Sequence, residues 1–137
     1  MKRDPELEAE VMAYLRESND DFRRNDADAF MSLFSPDIIG FGTGADERFV
    51  GRERLMAGLE QDLDEVERVE RDYKWLSVSQ HGSLVIFATE YEVRWTVSGR
   101  SFERPARLTG VLERHDGHWR ALQMHMSVPV PDQPAGR

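Results

Sequence analysis

The sequence predicts an α+β fold, a cone-shaped curved antiparallel sheet (a partial barrel) wrapped around three N-terminal helices. Three observations carry this. Apolar residues recur every three or four positions in the first half and alternate in the second, the change falling near Val69. The second half is punctuated by three turn signals, His81-Gly82, Ser98-Gly99 and Asp116-Gly117. The runs between them would make strands of about 12–14 residues, well above the usual five or six. Strands that long twist and coil, so the sheet must curve and leave a cone-shaped cavity against the helices.

Each element follows from local chemistry. Asp4 caps a first helix and Pro5 supplies its first residue, already fixed at a helical φ. Leu7, Val11, Tyr14, Leu15, Ser18 and Phe22 then form one apolar face. A second short helix follows the cap Asp26, with Phe30, Leu33 and Phe34 on its buried side, and Ser35-Pro36 ends it. Residues 38–41 read as a strand, 42–46 as a turn, and Phe49-Val50 as a short return strand. A third helix begins at Gly51-Arg52-Glu53 and buries Leu55, Met56, Leu59 and Leu63. The four-stranded antiparallel meander completes a single domain over 1–129. Residues 130–137, with two more prolines and a glycine, read as a flexible tail.

Composition bounds the function. The chain has 137 residues, one domain by size, with 39% hydrophobic and 32% charged residues. It has no cysteine, which removes disulfide frameworks, thiolate metal sites and cysteine nucleophiles. With 18 basic against 26 acidic residues the net charge is −8, which argues against nucleic-acid partners. The stretch 59–72 makes the point locally, with seven acids against two arginines, and the acidic far side of the third helix reads as a solvated face. No apolar run approaches the ~20 residues of a membrane helix, and MKRDPELEAE lacks the apolar core of a signal peptide. The expectation is a soluble cytoplasmic protein without membrane association.

Two stretches carry a family resemblance. RLTGVLERHDGHWRALQMHMSVP resembles the closing hairpin of the nuclear transport factor 2-like superfamily, with its Arg-x-Thr strand, Asp-Gly turn, Trp and His-x-Ser-x-Pro ending. LFSPDIIGFGTGADERFVGRERL is similar to the strand–turn–strand–helix entry of its SnoaL-like branch. It is similar also to the association domain of calcium/calmodulin-dependent protein kinases. The resemblance covers residues 14–129. It implies a cystatin-like α+β fold and a small-molecule pocket, in an isomerase, dehydratase or cyclase using general acid/base chemistry on an apolar carbonyl compound. The alternative it implies is a non-catalytic oligomerising association module. The steroid-isomerase branch places an aspartate base on the first strand, where this chain has Ile38-Ile39-Gly40-Phe41-Gly42 and no carboxylate.

Candidate site residues follow from alternation. Trp119, Ala121, Gln123, His125 and Ser127 share one face of a regular last strand, and Leu122, Met124 and Met126 the other. With the first face inward, His125 would be the general acid or base; the competing reading is a histidine that only hydrogen-bonds a neighbour in the barrel wall. Asp21, on a helical face near that of Tyr14, would orient it; the competing reading of Asp21 is a solvated carboxylate. Arg107 and Thr109 alternate onto one strand face and match the family pattern. Arg107 would bind an anionic or carbonyl group, or else pair with Glu90 or Glu92. Phe87, Tyr91 and Trp95 form an aromatic stripe, with Trp75, Phe34 and Phe41 contributing to the same volume. The expected ligand site is therefore Tyr14, Phe41, Tyr91, Trp95, Arg107 and Thr109, receiving a hydrophobic small molecule.

No metal or other cofactor is expected. His115 and His118 flank a solvent-facing hairpin tip without a third ligand, and FGTG lacks the lysine of a phosphate loop. The apolar set Leu122, Met124, Met126, Leu84 and Ile86 would form an outer sheet face needing a cover, so a homodimer through the convex side is expected.

Overall fold

In the computed structural model, residues 3–66 and 68–131 are described, apart from the side chains of 61–65. Helix α1 (Pro5–Arg23) begins where the sequence predicts: the Asp4 carboxylate accepts the Leu7 N–H at 3.1 Å, and Pro5 sits in the first turn. Its apolar stripe, Leu7, Val11, Tyr14, Leu15 and Phe22, is buried. Each such side chain contributes roughly 1.5–3 kcal/mol on leaving water. Helix α2 (Ala27–Met31) is capped by Asp26, which accepts the Ala29 N–H.

The remaining elements are β1 (Phe34–Phe41), β2 (Arg48–Val50), α3 (Arg52–Glu65), β3 (Arg68–His81), β4 (Leu84–Val97), β5 (Arg100–His115) and β6 (His118–Ser127). They form one six-stranded sheet in the order β2-β1-β6-β5-β4-β3. The α+β class and the helices-then-sheet order stand as expected. The meander β3–β6 is antiparallel throughout. Its turns at Ser98-Gly99 and Asp116-Gly117 have both central residues at positive φ, the geometry that matches the twist of the flanking strands.

Two features differ from expectation. First, the sheet is mixed rather than wholly antiparallel, because β1 lies parallel to β6. The Leu33 carbonyl fixes this junction by accepting both the Ala121 N–H at 2.9 Å and the Tyr14 hydroxyl at 2.7 Å. Second, α2 stops at Met31, and Phe34 opens β1 instead of closing the helix. Pro36 falls where the β1–β6 register shifts, between Phe34 and Ile39, so its missing N–H costs no ladder bond. The sheet does not close, as expected of a partial barrel: β2 and β3 are its two edges.

Two irregularities decide which way side chains point. Lys74 is an extra residue of β3 against β4, where pairing passes from Tyr73↔Tyr91 to Trp75↔Glu90. Leu122 is an extra residue of β6 against β5, where Leu112↔Ala121 gives way to Val111↔Gln123. Alternation has a period of two, so each insertion exchanges the two faces beyond it. Trp119 and Ala121 therefore face the helices, but so do Met124 and Met126, which pack against the core. Gln123, His125 and Ser127 face outward beside Val111, Thr109 and Arg107. Of the apolar outer face expected from sequence, Leu84 and Ile86 lie outside, while Met124 and Met126 lie inside.

No helix among the described residues is long and apolar enough to cross a membrane. The tail expected over 130–137 lies outside the described residues from 132 onward.

Candidate functional site

The inner face of the sheet is covered unevenly. On β4, Val85, Phe87, Thr89 and Tyr91 are buried, whereas Val93, Trp95 and Val97 are only half-buried. On β5, Leu112, Leu108 and Ala106 are buried, and Arg104 and Phe102 are exposed. The closed half of the cone is thus filled by side chains: Phe22, Phe30 and Phe34 stack edge to face at 5.7 and 4.9 Å. The open half leaves an accessible apolar lip. The cavity expected between sheet and helices is reduced to that lip, because the helices are too few to cover strands of 14 and 16 residues.

Three cross-strand rungs build the lip. The innermost is Tyr73–Tyr91–Ala106, the next Arg71–Val93–Arg104, and the outermost Val69–Trp95–Phe102. Successive rungs lie about 6.8 Å apart, two residues of strand rise. The Trp95 and Phe102 rings stack with centroids 5.5 Å apart and 18° between planes. The Tyr73 and Tyr91 rings meet at 5.4 Å.

Arg71 is the polar centre of this surface. Its Nη1 donates to the Asn19 Oδ1 at 2.8 Å, and its guanidinium lies 5.7 Å from the Phe22 ring centre and 6.0 Å from that of Tyr91. Leu15, Asn19 and Phe22 recur at helical spacing on α1 and so meet β3 together. The Leu15 carbonyl accepts the Tyr73 hydroxyl at 3.3 Å. Asn19 is neutral, and no carboxylate lies within 4 Å of Arg71 among the described residues. The planar guanidinium has five N–H donors, so it can take a carboxylate or a carbonyl oxygen as well as Asn19.

Burial sets the state of the tyrosines. It pushes the Tyr73 phenol up to about 12 and raises Tyr14 much further. Burial raises Tyr91 also, against the opposing charge and hydrogen bond of Arg71. All three phenols are neutral donors at physiological pH.

The site residues expected from sequence are not brought together. Tyr14 and Tyr91 are on the inner side, but the Tyr14 hydroxyl is committed to the Leu33 carbonyl in the closed half. Trp95 lines the open lip. Phe87 and Phe34 are packed into the core. Phe41, His125, Arg107 and Thr109 face outward, and so does Trp75, displaced by the Lys74 insertion. The shared face assumed for Trp119 and His125 fails at Leu122. Arg107 faces Glu90 across the ladder, yet no ion pair within 4 Å joins it to Glu90 or Glu92 among the described residues. Asp21 is buried, but its carboxylate holds Arg24 at 2.5 Å and does not meet the His125 ring on the far side of the sheet.

Sequence reasoning missed Arg71 and Asn19. Arg71 lies in the acidic stretch 59–72, which was weighed only for its charge, although Val69, Arg71 and Tyr73 already alternate there. That alternation was the available signal.

The described residues also form surface concavities. One of about 330 Å³ lies between the first turn of α1 and the hairpin tips, where Arg114 sits 4.3 Å over Trp119 and pairs with Glu10. Another of about 360 Å³ adjoins the lip, lined by Trp95 and Phe102 together with Glu103, Arg68, Glu70 and Arg94, and there Arg68 and Arg94 both pair with Glu70.

A family model described as SnoaL-like domain matches residues 11–131. Among solved structures, the chain is similar to a provisionally named calcium/calmodulin dependent protein kinase II association domain from Xanthomonas campestris. Identity is 23% and the TM-score 0.79, over 90% of this chain and 88% of that one. It is similar to a provisionally named dehydratase of the nuclear transport factor 2-like family from Streptomyces avermitilis, at 14% identity and a TM-score of 0.82, over 92% and 99%. A third is a provisionally named scytalone dehydratase from Novosphingobium aromaticivorans, at 11% and 0.81, over 94% and 93%. At these identities the likeness is one of fold. No curated protein matches the chain at a significant level.

Proposed function

The chain belongs to the SnoaL-like domain family, and on that premise we propose that it binds a small apolar molecule bearing a carbonyl or acid oxygen on the open half of its inner sheet face. The observation that carries this is Arg71, a half-buried guanidinium held by a neutral Asn19 between two aromatic rings. A partly desolvated cation with spare donors is stabilised by an oxygen ligand, and the surrounding Val69, Val93 and Trp95 supply apolar contact. Names of dehydratases among the structural neighbours are in keeping with a small-molecule pocket.

The geometry favours binding over catalysis. His125 and Asp21, the expected proton-transfer pair, do not face this surface. An isomerase, dehydratase or cyclase reaction here would use Arg71 to stabilise charge on a carbonyl oxygen and Tyr91 as the nearest proton-bearing group. A thermal-shift screen with apolar ketones, lactones and hydrophobic acids tests the reading. A ligand at 100 times its Kd adds about 2.7 kcal/mol, a rise of several degrees. That rise should shrink in Arg71→Gln; hits unaffected by the substitution would refute the site.

A second reading, self-association, is favoured by the outer face. There Ile39 is 50%, Phe41 49% and Trp75 51% exposed, and Ile86 continues the apolar surface. We propose a homodimer through this convex side; it leaves the inner lip free, so the two readings are compatible.

A further inference from the structure

We infer, resting on the inner-face reading above, that the ligand is a planar aromatic monoanion, its ring on the Trp95–Phe102 stack and its charged group between Arg71 and Arg104. The rungs supply the argument. Arg71 and Arg104 flank Val93 from the two neighbouring strands, so two arginines share one row of the inner face. Their backbones lie roughly 10 Å apart, two strand spacings, within reach of a single carboxylate for two long side chains. On the next row, Trp95 and Phe102 offer a flat aromatic platform that is not covered, Phe102 being 38% exposed. A third guanidinium, Arg100, lies 5.6 Å from the Phe102 ring on the same face. The step of about 6.8 Å between the rows suits an acid group carried at the end of a fused or substituted ring.

Charge complementarity fixes the sign. The chain carries a net charge of −8. Yet Arg71, Arg100 and Arg104 meet no carboxylate within 4 Å among the described residues. The outer face of the same strands behaves differently: Glu70 is bracketed there by Arg68 and Arg94 at 2.6 and 3.3 Å. Like charges gathered on one face repel and are relieved by an anion. Stacking on Trp and Phe, together with a forked guanidinium contact, selects an aromatic acid over an aliphatic one.

Calorimetric titration tests this with 2-naphthoate, 2-naphthalenemethanol and cyclohexanecarboxylate as probes, on the wild type and on Arg71→Gln, Arg104→Gln and Trp95→Ala. Arg104 is exposed, so its variant keeps the fold; cooperative thermal unfolding checks each protein. We expect 2-naphthoate to bind at least tenfold more tightly than the other two. Arg71→Gln and Arg104→Gln should each weaken it at least fivefold while leaving the alcohol within twofold, and Trp95→Ala should weaken both aromatic probes. If the alcohol binds as tightly as the acid and both are lost in Trp95→Ala, the anionic class is overturned and the inner-face site stands. Cyclohexanecarboxylate equal to 2-naphthoate overturns the aromatic requirement. No binding of any probe, or binding indifferent to both Trp95→Ala and Arg71→Gln, overturns the site itself.

Discussion

The Phe41 ring lies 5.3 Å from the His125 imidazole, and both stand on the outer face of the sheet, opposite to the helices. This contact exists because Leu122 is one residue too many for its ladder. A single insertion turns an apparent pocket histidine into a surface one and turns two apparent surface methionines into core.

His125→Ala should therefore leave ligand affinity on the inner face within twofold of wild type. Stability should change by no more than about 0.5 kcal/mol, as for an exposed side chain. Parallel titrations and urea unfolding check both. A loss of affinity beyond tenfold would return His125 to the site.

Deleting Leu122 should restore regular alternation and drive Met124 and Met126 outward. Each loses up to roughly 1.5–3 kcal/mol of apolar burial, so the variant should be destabilised by several kcal/mol. Leu122→Ala keeps the residue count and the faces, and should cost far less. Equal effects of the two changes, measured by chemical denaturation, would show that the insertion does not set the faces.

The chain has three tyrosines, Tyr14, Tyr73 and Tyr91, and burial raises the phenol pKa of all three above the ordinary value of 10.0. In the unfolded chain they ionise near 10, so the stability they contribute is full below that pH and is lost as pH rises above it. Tyr73, at about 12, sets the upper end of the window that the structure resolves. Absorbance near 295 nm should show no titration step at pH 10 in the folded protein, and a single rise that coincides with loss of circular dichroism. A reversible step at pH 10 with the fold intact would contradict the burial of these phenols.

Most of the architecture was legible from sequence because it depends on period and punctuation. Asp4-Pro5 and Asp26 mark real helix starts, and the Gly99 and Gly117 turns are where the chain reverses. The parallel β1–β6 pairing was hidden, since nothing local in residues 34–41 names its partner across the whole meander. The site was less legible still. Face assignments are exact only while pairing is regular, and Lys74 and Leu122 each reverse one strand beyond themselves. Neither residue type announces an insertion. Arg71 was obscured by acidic neighbours in sequence, of which Glu70 and Asp72 alternate to the other face.

The exposed outer residues give a prediction of assembly. Sedimentation at micromolar concentration should show a dimer, and Phe41→Asp together with Ile86→Asp should dissociate it without unfolding the subunit. Both side chains stand outward, so the charges meet no core. A wild-type monomer under those conditions contradicts the proposed interface.

The central claim is that the open inner lip, and not the outer face, is where a small molecule binds. Chemical-shift mapping of the amide spectrum during titration with 2-naphthoate tests it most directly. The predicted perturbations concentrate on Val69, Arg71, Val93, Trp95, Phe102 and Arg104. Perturbations centred instead on Ile39, Phe41, Arg107, Thr109 and His125 would contradict the account.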